Sequence, residues 1–153
     1  MKTVYIETIL LIERLHRRFL DVIKTELDRL KIEDINNVQT LILYNISSEQ
    51  LTIGELTNRG YYLGSNVSYN VKKLVENGFL MQERSPHDKR STRVKLSERG
   101  LKLCQKIDEL YQRHLDSLKT SKPDINSLSA MNATLHQLEQ FWTNYINNIF
   151  KVV

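Results

Sequence analysis

Cysteine, proline and glycine are scarce in this chain of 153 residues, at one, two and five respectively. A single cysteine excludes an internal disulfide framework and fits a reducing compartment. So few glycines and prolines argue against a turn-rich β fold and predict a mainly α-helical chain with short breaks. No window is apolar and uncharged over the length of a membrane span. The N-terminal stretch is apolar, but Glu7 and Glu13 interrupt it and no small-residue cleavage site follows. A soluble cytoplasmic protein with no membrane partner is expected. Signatures of catalysis are missing too. His16, His87, His114 and His136 are scattered without metal-ligand spacing, and there is no glycine-rich phosphate loop. No acid, base and nucleophile converge, so no enzyme, metal or cofactor is expected.

What the chain does have is a local excess of positive charge. Residues 51–100 hold nine Lys and Arg against five Asp and Glu, and the remainder holds thirteen of each. The whole formal excess of +4 therefore sits in one third of the chain. That third is patterned. Thr52-x-x-Glu55 is a capping box, which predicts a helix from Ile53. Gly60, Tyr61, Tyr62, Leu63 and Gly64 break it; Ser65 and Asn66 suit a second start, and Asn77-Gly78 suits its end. Residues 79–84 and 92–96 read as two strands around a polar loop, 85–91, that contains Pro86. Helix, turn, helix and basic hairpin together spell a winged helix-turn-helix with a two-stranded β-wing.

The second helix can be phased. Val67, Val71, Leu74 and Val75 recur at helical spacing and should face the core. The opposite face carries Asn66, Tyr69 and Lys73, flanked by Ser65, Ser68, Asn70 and Lys72. A helix rich in hydrogen-bonding groups and poor in acids can enter a major groove, where asparagine pairs with adenine edges. An ordinary solvated helix face is the plainer alternative. Lys72, Lys89, Arg84 and Arg93 are candidate phosphate contacts, and the partner so implied is double-stranded DNA.

The flanks read as long helices. Residues 4–30 carry apolar positions on more than one stripe, among them Ile6, Leu10, Leu15, Phe19, Ile23 and Leu27. Two buried faces follow, one for the chain's own core and one for a second copy. Glu33-Asp34 should open the next helix, through Val38, Leu41, Ile42 and Ile46. Ser97 should open a helix with a stripe of Leu101, Cys104, Ile107, Tyr111 and Leu115, and Lys122-Pro123-Asp124 should end it. A last helix, from about Ser127, aligns Leu128, Met131, Leu135, Leu138, Trp142, Tyr145 and Ile149. The first and last helices are expected to form a homodimer interface; packing only on each other is the alternative.

The run Asp88-Lys89-Arg90-Ser91-Thr92-Arg93-Val94-Lys95-Leu96-Ser97-Glu98-Arg99-Gly100 resembles the wing signature of MarR-family regulators, and residues 64–80 look like the family's recognition helix and its run into the wing. Residues 60–70 more narrowly resemble LdtR-type members, associated with control of cell-wall genes. The resemblance covers nearly the whole chain. It implies a homodimeric winged-helix transcription regulator on a pseudo-palindromic operator, modulated in many members by a small-molecule effector. It implies dimerisation helices at 1–33 and 100–153 around a DNA-binding lobe at 34–99. The implied wing would place Arg90 in a minor groove, with Asp88 orienting it. Thr40, Tyr61 and Tyr62 are candidate effector-pocket residues by composition, with core packing the alternative. Cys104 could sense oxidants or be an inert buried thiol, and His87 could touch phosphate or be solvated. The rival to a DNA-binding regulator is a winged-helix interaction module that binds no DNA.

Overall fold

The computed structural model describes residues 1–46, 50–60, 64–84 and 92–151, with side chains omitted at 59, 60, 64, 65 and 150. Among these described residues, nine elements follow one another: α1 (Lys2–Arg29), α2 (Asn37–Ile46), β1 (Leu51–Thr52), α3 (Ile53–Gly60), α4 (Gly64–Glu76), β2 (Leu80–Arg84), β3 (Thr92–Leu96), α5 (Glu98–Leu118) and α6 (Ile125–Lys151). The result is a mainly α fold with a small β wing between flanking helices, as the residue pattern predicts. The chain divides into two compact units, Met1–Leu110 and Tyr111–Val153.

Local chemistry sets most boundaries. The capping box forms in both directions: the Glu55 N–H donates to Thr52 Oγ1 and the Thr52 N–H to Glu55 Oε2, each at 3.1 Å. At the other end of the helix-turn-helix, Gly78 takes φ +80°. That left-handed residue lets the Phe79 N–H reach the Leu74 carbonyl (2.9 Å) and the Gly78 N–H reach the Val75 carbonyl (3.1 Å). The two bonds close α4 as a Schellman motif. Ser97 caps α5 by accepting the Gly100 N–H at 3.1 Å, and Asp124 caps α6 by accepting the Ser127 N–H at 2.8 Å.

Three expectations need correcting. The second helix begins at Asn37, not at Glu33-Asp34. Asn36 and Gln39 make a reciprocal cap there: Asn36 Oδ1 accepts the Gln39 N–H (2.8 Å) and Gln39 Oε1 accepts the Asn36 N–H (3.1 Å). A fully paired cap outweighs two acids that merely favour the helix dipole. The two-stranded wing forms as β2 and β3, but the expectation missed a further strand: among the described residues the sheet runs β1-β3-β2. Leu51 and Thr52 pair antiparallel with Val94 and Arg93, and two residues are too few to show an alternating pattern. On α5 the buried line is Gly100, Leu103, Ile107 and Leu110, whereas Leu101 and Leu115 are exposed.

The core of the first unit joins every element up to the start of α5. Ile23 and Leu27 of α1 meet the level of Ile42, Leu43 and Ile46 of α2; Leu56, Val67, Val71 and Leu74 of the helix-turn-helix are buried, as are Val94 and Leu96 of β3. Burying each such side chain contributes about 1.5–3 kcal/mol before the chain entropy opposing it. Gly100 is required by contact. A Cβ there would collide with the Phe79 carbonyl, so wing and α5 approach only because the side chain is absent.

Candidate nucleic-acid interface

The α4 helix carries two faces with different duties. Val67, Val71 and Leu74 are buried to within 1% of full burial. The same spacing turns Asn66, Ser68, Tyr69 and Lys72 outward, and all four are exposed. Tyr69 is 61% exposed, an unusual cost for an aromatic ring unless a partner covers it. Lys73 is half-buried. Its ammonium lies 5.9 Å from the Tyr69 ring centroid and 3.4 Å from Glu76 Oε2, so the ring and an acid restrain it. Ser65 lies in the first turn of α4, and its side chain is outside the described set.

Asn70 is placed differently from its neighbours. Its Oδ1 accepts from Gln39 Nε2 at 3.2 Å, and its Nδ2 donates to the Asn66 carbonyl at 2.9 Å. Both halves of this amide are therefore engaged within the protein.

On the wing, β2 and β3 pair in register from Leu80↔Leu96 to Arg84↔Thr92. Arg84 and Arg93 are exposed and have no carboxylate partner among the described residues. Lys95 is neutralised instead: its Nζ lies 3.1 Å from Glu83 Oε1, and Gln50 donates to Glu83 Oε2 at 2.9 Å. Those two bonds hold the Glu83 carboxyl below the usual carboxylate range. Among the described wing residues, Arg84 and Arg93 thus keep uncompensated charge. Asp88, Lys89, Arg90 and His87 at the wing tip, and Tyr61 and Tyr62 in the turn, lie outside the described residues.

A second cluster, which has no signal in the sequence, fixes the far end of α4. Arg99 pairs with both oxygens of Asp34, Nη1 to Oδ2 at 2.7 Å and Nη2 to Oδ1 at 2.9 Å. Its Nη1 also donates to the Asn77 carbonyl at 2.7 Å, and its guanidinium stacks 4.1 Å from the Phe79 ring centroid. Asn77 Nδ2 returns a bond to the Asp34 carbonyl at 2.9 Å. The Arg99 fork lowers the Asp34 carboxyl from its ordinary value. Sixty-five residues separate the two partners, which hides the pair from any local pattern.

The other singled-out residues take quieter places. Thr40 is 1% exposed and its hydroxyl donates to the Asn36 carbonyl at 2.8 Å. Cys104 is half-buried, and burial followed by the nearby Asp108 charge pushes its thiol up to about 11. At neutral pH it is a protonated, poorly nucleophilic thiol. Among the described residues no group of three or more His, Cys, Asp and Glu is arranged to hold a metal ion. No described helix is long and apolar enough to cross a membrane.

A capped helix-turn-helix, a wing and an outward polar face define a winged-helix DNA-binding protein. Residues 35–100 match the family described as a winged helix DNA-binding domain. The exopolysaccharide II synthesis transcriptional activator ExpG of Rhizobium meliloti (strain 1021) is 37% identical over 140 residues, covering 92% of this chain and 72% of that one. Streptococcus pneumoniae FabT, solved in complex with DNA, superposes with a TM-score of 0.73 at 15% identity over 92% of this chain and 98% of that one. Staphylococcus aureus MarR, solved with salicylate and kanamycin, superposes with a TM-score of 0.74 at 19% identity over 93% of this chain and 94% of that one. The chain belongs to the family of winged-helix DNA-binding transcriptional regulators that includes ExpG, and its fold is that of the MarR structures. It is a DNA-binding regulator of transcription.

Proposed function

We propose that this regulator binds a pseudo-palindromic operator as a homodimer and that a small-molecule effector tunes its affinity. The outward face of α4, held by Val67, Val71 and Leu74, carries the reading. Ser65, Asn66, Ser68, Tyr69 and Lys73 then face a major groove; Lys72, Arg84, Arg93 and Lys89 contact phosphates; Arg90, oriented by Asp88, enters a minor groove. Apolar side chains left exposed on α1 and α6 support a second copy as partner: Leu10, Leu15, Phe141, Tyr145 and Ile146 are between 50% and 60% exposed. Residues 60–70 support an LdtR-type place within the family.

The effector reading draws support from the salicylate and kanamycin bound to the staphylococcal relative. Thr40 enters it as core support, since its hydroxyl is already bonded, with Tyr61 and Tyr62 as lining candidates.

Sequencing the genomic fragments that the purified protein retains tests the operator. The expected sequence has half-site centres about 10 base pairs apart, one turn of DNA. Inserting half a turn between them should abolish tight binding, and unchanged affinity would rule out symmetric docking. On the fragment so selected, Asn66→Ala should cost about 1–3 kcal/mol and little on unrelated DNA. Arg90→Ala should weaken both DNAs and lower the salt slope by about one charge.

A further inference from the structure

The recognition helix is fastened at two points, to the short link between α1 and α2 and to the first turn of α2. Its C-terminal end is pinned where Arg99 bridges Asp34 and the Asn77 carbonyl. A helix held at one end can still swing about that pin. The second point lies near its middle, nearly two turns earlier, where Gln39 Nε2 donates to Asn70 Oδ1. Gln39 is only 8% exposed, and its other amide atom is committed to the Asn36 N–H. It therefore cannot turn away without leaving a buried polar group unpaired. Asn70 in turn bonds the Asn66 carbonyl, the backbone of the residue best placed to meet a base.

We propose that Gln39 is a positioning residue for DNA reading, which sets the angle of α4 by holding Asn70, and that Asn70 acts on the operator through Gln39 rather than by touching a base. This rests on the reading of α4 as the groove helix. Gln39 belongs to α2, so a DNA effect at Gln39 has to pass through α4. Discrimination between operator and unrelated DNA is the property that such a residue controls. A small swing of α4 misplaces base-edge contacts, whose hydrogen bonds are directional, and leaves the longer-ranged phosphate attraction largely intact.

The test uses the full-length protein, its selected operator fragment and an unrelated duplex of the same length. Gln39→Glu keeps an acceptor for the Asn36 N–H, and so the cap of α2, but replaces the donor to Asn70 with a second acceptor. Asn70→Ala removes the other partner. Each should lower the ratio of operator to unrelated affinity by about fivefold to tenfold, the scale of one lost hydrogen bond. The double variant should show no further loss, because both changes break one link. Circular dichroism melts set a temperature at which every variant is folded, and the ratio, unlike the melt, does not move for a merely stabilising contact. Asn70→Ala lowered with Gln39→Glu unchanged overturns the proposal, since Asn70 then reads a base directly. Fully additive losses overturn it as well, as does an unchanged ratio in both. Asn66→Ala separates the two possible failures. If it lowers the ratio while Gln39→Glu does not, only the positioning role falls. If it leaves the ratio unchanged, α4 is not the reading helix, and the positioning role falls with that reading.

Discussion

The helix-turn-helix frame and the long flanking helices solve opposite problems with the same kinds of residue. Between α2 and the start of α5, most apolar side chains are spent on the interior, Tyr69 and Met81 being exceptions, and no buried side-chain polar atom among the described residues lacks a partner. Along the first turns of α1 and along α6, apolar side chains face outward: Leu15 is 57% exposed, Phe141 60% and Ile146 51%. On α1 only Ile23, Glu26 and Leu27 are buried, all near its C-terminal end. The frame buries most of its apolar side chains within itself, whereas the flanking helices leave many exposed, and that exposure is what supports the proposed second copy.

Four substitutions would break or sharpen this contrast. The largest effect is expected where apolar surface is uncovered. Phe141→Glu should give a monomer by sedimentation while the circular dichroism of the frame is kept. Losing one of two linked reading heads should then lower operator affinity by about 100-fold or more. A dimer that survives the change would move the interface elsewhere. Leu56→Ala attacks the frame itself. It is fully buried, so the frame should lose about 2–5 kcal/mol in a denaturant melt, with oligomeric state unchanged wherever the protein remains folded.

The third variant lies at the seam of the two regions. Lys31 follows α1 with φ 57°, a left-handed position usually given to glycine. The Ile32 N–H reaches back to the Leu27 carbonyl at 3.0 Å, which completes the helix end. Lys31→Gly should therefore stabilise the protein by about 1 kcal/mol, read as a raised melting midpoint. A lowered midpoint would show that the Lys31 side chain matters more than its backbone.

The smallest effect is electrostatic. Asp34 is held below its ordinary pKa by Arg99, so its contribution is complete above the unfolded carboxylate value and is lost as pH falls through the lower folded one. Both partners are nearly half exposed, which limits the pair to about 0.5 kcal/mol. Wild type and Asp34→Asn should differ by a constant amount from neutral pH down to about 5, and converge below the ordinary carboxylate range near 4. A difference that grows on acidification would assign the role of Asp34 to something other than its charge.

Much of the frame was legible before any coordinates. Thr52, Glu55 and Gly78 act within a few residues of themselves, and the bonds they make are the ones their spacing predicts. The Asn36-x-x-Gln39 cap is equally local, yet Glu33-Asp34 competed for the same helix start and obscured it. The two-residue strand β1 had no pattern to find, because pairing with Val94 and Arg93 creates it.

By itself, the sequence determined what depends on near neighbours: helical periods, caps, the Gly78 turn, the local charge excess and which face of α4 is apolar. Hydrophobic phase and backbone hydrogen bonding act over one or two turns, so composition and spacing carry them. The tertiary structure alone decided which polar residues of α4 remain free. Asn66 and Asn70 are the same residue type on one helix, four positions apart. Asn66 is exposed, whereas Gln39, thirty-one residues away in the chain, holds Asn70. Likewise Asp34 and Arg99 meet only once α1, α4 and β3 have brought their ends together. A hydrogen bond forms at about 3 Å and has no reach along the chain, so the partners of such groups exist only in the fold.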